Sequence, residues 1–322
     1  MHDIQGRAIL GIDVGGTKLA AGVVTSDGIV RGYRRCPTSQ SWDAEALLAA
    51  IIALAQDAIT ASSLLPGALG VGCGGPMRYP DGVVSPLHIP AWRDFPLASR
   101  LRGAFGLPVS VDNDAKALAL GEARFGAGRG ARSLLGMVVS TGIGGGIVVD
   151  GRLHHGASGN AGHIGHVIVA ADGLRCECGA RGCVTVYASG TGMAARATAA
   201  LARGMSSTLA SLPGADLTAE AIAVAARTGD ALALQLYREA GRALARAIAG
   251  AAALLDLDRV VLGGGLSLAG ELLFTPLRHE WRECARLSFT QQLTIAPAEL
   301  GGEAGVIGAA ALAFTSASES PG

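Results

Sequence analysis

The chain has 322 residues, half of them apolar, and its 26 basic and 26 acidic side chains leave no net charge. That length allows one large or two medium domains with substantial cores, while a neutral chain with few aromatics and no basic stripe argues against nucleic acid as a partner. The N-terminal sequence MHDIQGRAIL has an acid at position 3 and no long apolar run, and stretches such as 304–318 fall short of the ~20 residues that span a bilayer, so a cytoplasmic protein with no membrane partner is expected.

In chain order, residues 8–14 predict an apolar strand ending in Asp13, followed by Gly15-Gly16-Thr17-Lys18 and a second strand over 19–24. The order Gly-Thr-Lys departs from the Gly-Lys-Ser/Thr of a P-loop, and a strand follows where a P-loop needs a helix. This is a glycine hairpin. Its N–H groups can approach phosphate oxygens because no Cβ intervenes, and Asp13 is placed to hold a hydrated Mg²⁺; a plain tight turn is the alternative. A helix over 44–62, a strand over 69–73 and a turn at Gly74-Gly75-Pro76 come next. Residues 109–115 predict a strand running into Asp112-Asn113-Asp114, with Asp112 read as the cap of a helix over 116–125. A carboxylate at such a strand end suits general-base work on a hydroxyl.

Residues 137–150, MVVSTGIGGGIVVD, repeat the strand, Ser/Thr-Gly turn and strand of the first hairpin through Thr141, Gly142 and Gly144, so a duplicated architecture is expected. Helices near 192–203, 218–228 and 231–255 read as packing, a strand at 259–263 runs into Gly264-Gly265, a last helix covers 301–315, and the Ser-rich tail is expected to be disordered. Between these lies NAGHIGHVIVAADGLRCECGARGCVT (160–185), which holds His166, Cys176, Cys178 and Cys183. One nitrogen and three sulfurs suit tetrahedral Zn²⁺, Gly173, Gly179 and Gly182 let the loop fold back, and the full ligand set leaves no position for water, so the metal is structural. Cys36, Cys73 and Cys284 are read as ordinary buried thiols.

Ala-Gly-His-Ile-Gly-His followed by Cys-x-Cys-Gly-x-x-Gly-Cys resembles the zinc segment of the ROK family, which holds bacterial sugar kinases and sugar-responsive repressors, and Asn113-Asp114-Ala matches that family's signature. The resemblance implies an α/β actin-like ATPase/hexokinase (ribonuclease H-like) fold, with two α/β domains around an ATP/sugar cleft. It places residues 1–115 and 302–316 in the first domain, 116–301 in the second, and 317–322 in a tail. It also implies Asp114 as catalytic base, sugar contacts from Gly75, Asn113, Asn160, His163, His166 and Thr185, and phosphate or adenosine contacts from Asp13, Gly15, Gly16, Thr17, Lys18, Thr141, Gly142, Gly144, Gly264 and Gly265. The implied cofactors are ATP, Mg²⁺ and zinc, and the implied assembly is a homodimer. His166 would bind zinc with one ring nitrogen and sugar with the other.

Three positions depart from the family pattern. His88 stands where an Asn is usual in the substrate loop, His163 replaces the first Glu of Glu-x-Gly-His, and Thr185 replaces a Glu two residues after the last zinc cysteine. A His at 163 is similar to bacterial N-acetylmannosamine kinases, which keep the second Glu, while Gly-Leu-Pro-Val before the base motif is similar to glucokinases. The reading is an ATP-dependent hexokinase or glucokinase acting at O6, with N-acetylmannosamine kinase as the alternative and a non-catalytic sugar sensor as the second. A repressor of the family is disfavoured because only twelve residues precede Asp13, too few for a helix-turn-helix module.

Overall fold

The structure, a computed structural model, describes residues 8–316; the tail at 317–322 and most of the N-terminal segment judged against a signal peptide lie outside them. In chain order the elements are β1 (Ile9–Val14), β2 (Lys18–Val24), β3 (Val30–Pro37), α1 (Ala44–Ser62), β4 (Ala68–Cys73), a short ribbon β5 (Met77–Arg78) and β6 (Val83–Val84), α2 (Leu97–Phe105), β7 (Val109–Asn113) and α3 (Asp114–Phe125). Then follow β8 (Ser133–Val139), β9 (Ile143–Val149), β10 (Arg152–Leu153), α4 (Val184–Ala188), α5 (Gly190–Ala202), α6 (Ala219–Arg227), α7 (Ala231–Leu255), β11 (Arg259–Gly263), α8 (Glu271–Cys284), β12 (Thr294–Pro297) and α9 (Ala304–Ser316). Among the described residues, 8–131, 146–161 and 298–316 form one compact unit, and 132–145 with 162–297 form another.

The first sheet runs β3-β2-β1-β4-β7, with β1 antiparallel to β2, parallel to β4, and β4 parallel to β7. Its central strands are buried on both faces, which is why Ile9, Leu10, Ile12, Val14, Leu69 and Val71 run as a near-continuous apolar series. Helix α1 covers one face with Leu47, Leu48, Ile51, Ala55 and Ala58; it starts where the Asp43 carboxylate accepts the Ala46 N–H at 2.8 Å and stops at Ser63, in the left-handed region at φ 56°. It is the one helix among the described residues long and apolar enough to cross a membrane, and those five residues lie in the sheet core.

Helix α9 packs the other face at backbone distance. A Cβ on Gly70 would run into the Ala309 carbonyl and one on Gly11 into that of Val306, so only glycine lets the helix lie there. On its far side a Cβ on Gly121 would come within 2.8 Å of Gly308 Cα. This close packing puts α3 in the first unit and corrects a domain boundary at 115/116.

The second sheet runs β10-β9-β8-β11-β12, the order of the first sheet with β8 in place of β1 and β11 in place of β4; β8 and β12 are each parallel to β11. The duplication read from the two glycine hairpins is therefore present in the fold. In the second unit α7 starts where Asp230 accepts the Ala233 N–H at 2.9 Å, and it buries Leu232, Leu236, Tyr237, Leu244 and Ile248.

Candidate active site and metal centre

Parallel pairing brings three strand ends of the first unit to one edge. Val14 is the register partner of Cys73, and Cys73 of Asn113, so Asp13, Gly74-Gly75 and Asn113-Asp114 leave the sheet together. The carboxyl edge of parallel strands is where open α/β sheets bind ligands. Gly15 N–H donates to Lys18 O at 3.0 Å to close the hairpin, and the Thr38 hydroxyl and Gln40 amide hold the Gly15 and Gly16 carbonyls, each at 2.8 Å. Thr17 and Lys18 are exposed at the turn. A Cβ on Gly16 would stand 2.6 Å from His88 Cβ, so the loop at His88 rests directly on the hairpin.

Burial pushes the Asp13 carboxyl up to about 6; Lys18, 3.8 Å away, lowers it and the charge of Asp114 raises it again. Asp114 is accessible on one side, yet enough protein surrounds its carboxyl for burial to raise its pKa as well, partly offset by hydrogen bonding to the Ala115 N–H at 2.8 Å and by the nearby His88. Two carboxyls with raised pKa values at one strand edge have the electrostatics of a reaction centre.

Two local expectations change here. Asp114 is the first residue of α3 and not the last of a strand, and the cap is Asn113, whose Oδ1 accepts the Ala115 N–H at 3.0 Å. Asn113 Nδ2 lies 3.8 Å from where a Gly75 Cβ would stand, so these two predicted sugar residues are neighbours. Asp112 caps nothing. It is buried with Lys116, Oδ1 to Nζ 3.3 Å, a pairing absent from the sequence reading. Asn160 lies in the loop after β10, with its Nδ2 donating to Ser158 O at 3.1 Å.

In the second unit a cavity of about 720 Å³ opens at the corresponding strand edge, between Ser140-Thr141 and Gly265–Ala269, with Thr191, Glu220, Arg227 and Tyr237 on its walls. That volume suits a nucleotide-sized ligand. Gly190 N–H donates to Ser140 O at 2.7 Å, and the Thr191 hydroxyl to Thr141 O at 2.8 Å, which anchors the start of α5 on the hairpin. Gly264, at φ 90°, passes so close to Val139 that a Cβ would lie 2.5 Å from its carbonyl oxygen. Gly142 is exposed and Gly144 is half-buried at the start of β9. Glu220, Arg227 and Tyr237 sit on helices read from sequence as packing alone; their alanine-rich pattern holds no signal for the cavity.

His166, Cys176, Cys178 and Cys183 bring their donor atoms within 4.8 Å of one another. Cys176 Sγ is 3.8 Å from His166 Nδ1 and Cys178 Sγ is 3.6 Å from Cys183 Sγ. A tetrahedral zinc–thiolate site with bonds of about 2.3 Å has edges of about 3.8 Å, so the donor set fits that metal. Gly179, at φ 94°, donates to Cys176 O at 2.9 Å to make the turn, and Gly182, at φ 77°, leaves no room for a Cβ beside the Ala170 carbonyl. Nδ1 of His166 faces the thiols. Gly165 presses its segment onto the Ile143 carbonyl, His163 is exposed, and Thr185 is half-buried in α4.

Residues 9–316 match the ROK family. The chain belongs to the ROK family. A glucokinase of Streptomyces coelicolor is 35% identical over 311 residues, covering 94% of this chain and 96% of the relative. An N-acetylmannosamine kinase of Citrobacter koseri is 36% identical over 305 residues, covering 94% and 98%. Among solved structures, a ROK glucokinase of Streptomyces griseus in complex with glucose and AMPPNP is similar at 35% identity, with a TM-score of 0.79 and coverage of 96% of this chain and 99% of that one. The actin-like ATPase/hexokinase fold follows from the family and from the duplicated sheets.

Proposed function

We propose that this ROK protein is an ATP-dependent hexose kinase that phosphorylates O6, with glucose as the leading substrate. The observation that carries the reading is the placement of the Asp114 carboxyl beside Asn113 and Gly75, at the strand edge that also holds Asp13 and the glycine hairpin. Asp114 takes the proton of the attacking hydroxyl; its raised pKa brings it nearer the basicity a general base needs at neutral pH. Asn113 keeps Nδ2 for a sugar hydroxyl while its Oδ1 caps α3. Hairpin amides and Lys18 orient the phosphates, and the cavity lined by Thr141 and Gly265 takes the adenosine.

Asp13 suits a hydrated Mg²⁺. Its carboxyl is buried, is raised further by Asp114, and has a lone cationic side chain 3.8 Å off, so it gains from a divalent charge. When bound, the metal would neutralise phosphate charge. Zinc at His166, Cys176, Cys178 and Cys183 would be structural and would fix the segment that carries His163. The homodimer expectation rests on the family resemblance alone and is read by light scattering.

N-acetylmannosamine is the second substrate reading, favoured by His163 and by the relative of that name. A coupled ADP-release screen over glucose, mannose, fructose, allose, N-acetylglucosamine and N-acetylmannosamine tests both. Release with glucose above all others supports the leading reading, and release with N-acetylmannosamine alone replaces it with the second.

A further inference from the structure

A buried charge cluster of the first unit is used by none of the chemistry above. Lys116 is 1% exposed and Asp112 2% exposed, and they face each other across the junction of β7 and α3, at 3.3 Å. The Lys116 ammonium donates to the Gly159 carbonyl at 2.5 Å and lies 5.9 Å from the centroid of the Tyr79 ring. Asp112 Oδ1 also accepts the Asn113 N–H at 2.7 Å, while its Oδ2 is 3.1 Å from His155 Nδ1, off the line of a regular hydrogen bond. Tyr79 stacks on His155 with ring centroids 4.0 Å apart. Gly159, at φ 80°, passes so near that a Cβ would stand 2.7 Å from Tyr79 Cβ.

A buried ion pair adds little net stability compared with an apolar pair of similar volume; its advantage is that it fixes geometry. Here the pair joins two segments 43 residues apart in sequence: the first turn of α3, which holds Asp114, and the loop 155–161, which holds Asn160. The ammonium holds the loop at Gly159, the His155 ring at the start of the loop lies against the Asp112 carboxylate, and the Tyr79 ring stacks on His155 and faces the ammonium. Asn160 follows directly on the gripped carbonyl.

We propose that Asp112, Lys116 and His155, with Tyr79 over them, are positioning residues: a charged latch that fixes the loop carrying Asn160 relative to the helix carrying Asp114 and so sets affinity for the sugar. The latch rests on the hexose-kinase reading only for its effect on sugar; its hold on the loop does not.

The test uses the zinc-replete full chain. The double change Asp112→Asn with Lys116→Met removes both charges together and leaves no buried ion unpaired. His155→Leu, at a side chain 28% exposed, is the milder second variant. Hydrogen exchange of peptides covering 155–161 is expected to quicken at least tenfold in the double variant and measurably in His155→Leu, with β1 and β4 peptides unchanged. The KM for the sugar is expected to rise at least tenfold while the KM for ATP moves less than twofold. Unchanged loop exchange in folded His155→Leu and in the double variant overturns the latch, as does a KM shift shared equally by sugar and ATP. If the wild type phosphorylates no sugar, the kinase reading fails alone, and the exchange data still decide the latch.

Discussion

Asp114 raises the carboxyl pKa of Asp13 from across the end of β4, which lies between their strands, adding to the larger effect of Asp13's own burial. Such coupling is useful where a cation and a substrate proton arrive to relieve it, and it costs stability while the site is empty.

For Asp13 the sign follows from the direction of the shift. A carboxyl pushed up to about 6 from 3.8 stabilises the fold fully only below about pH 4 and loses that contribution as pH rises through 6. At pH 7.5 the charged form is then a liability of up to about 3 kcal/mol. Asp13→Asn is expected to raise the melting temperature of the nucleotide-free protein by several degrees at pH 7.5 and hardly at pH 4, while ATP-dependent turnover is lost. An equal change at both pH values contradicts the account.

For Asp114, replacement by Asn is expected to lower kcat by ~10²–10⁴-fold with sugar and ATP binding retained, because an amide cannot take the proton. In the wild type, protonation of this base should make kcat fall on the acid side, with its midpoint above the ordinary aspartate range because burial raises the pKa. A variant with more than a tenth of wild-type kcat refutes the assignment.

Cys178→Ser is expected to lose zinc and to lower thermal stability, since metal binding to such a loop is part of its folding free energy. Metal content by mass spectrometry and calorimetric melting read the result. Full occupancy with an unchanged melting point rules out the ligand set.

The long elements were legible in the sequence. Residues 44–62 and 231–255 are helices with those bounds, because capped apolar periodicity over many turns leaves little room for error. Both glycine hairpins and the cluster of His166 with Cys176, Cys178 and Cys183 could be read because each is a local pattern. The latch could not: Lys116 and Gly159 meet only through the fold, and no local signal joins a lone lysine to a loop after β10. The cavity walls on α6 and α7 were hidden for a similar reason, since one face of an alanine-rich helix looks like another until its neighbours are known. The start of α3 at Asp114 was masked by three consecutive residues that each favour helix caps, and the choice fell to Asn113 once Asp112 was buried against Lys116.

Changes at His163 and Thr185 test the proposed sugar contacts. An imidazole and a short hydroxyl replace two carboxylates that the family pattern offers to sugar hydroxyls, and a polar site that lacks a partner loses strongly. The pair His163→Glu with Thr185→Glu is expected to raise kcat/KM for glucose at least tenfold, about 1.4 kcal/mol of transition-state stabilisation. Sub-millimolar KM for glucose in the wild type with no gain in the double variant shows that these positions do not set specificity.

The most direct measurement of the central claim is product identification: zinc-replete protein incubated with Mg²⁺, ATP and glucose or N-acetylmannosamine, followed by phosphorus and carbon NMR of the sugar. The account predicts a hexose 6-phosphate formed in equal amount to ADP by the wild type and at least a hundredfold more slowly by Asp114→Asn. ADP formed without a phosphorylated sugar, or the same product made equally fast by the Asn variant, contradicts it.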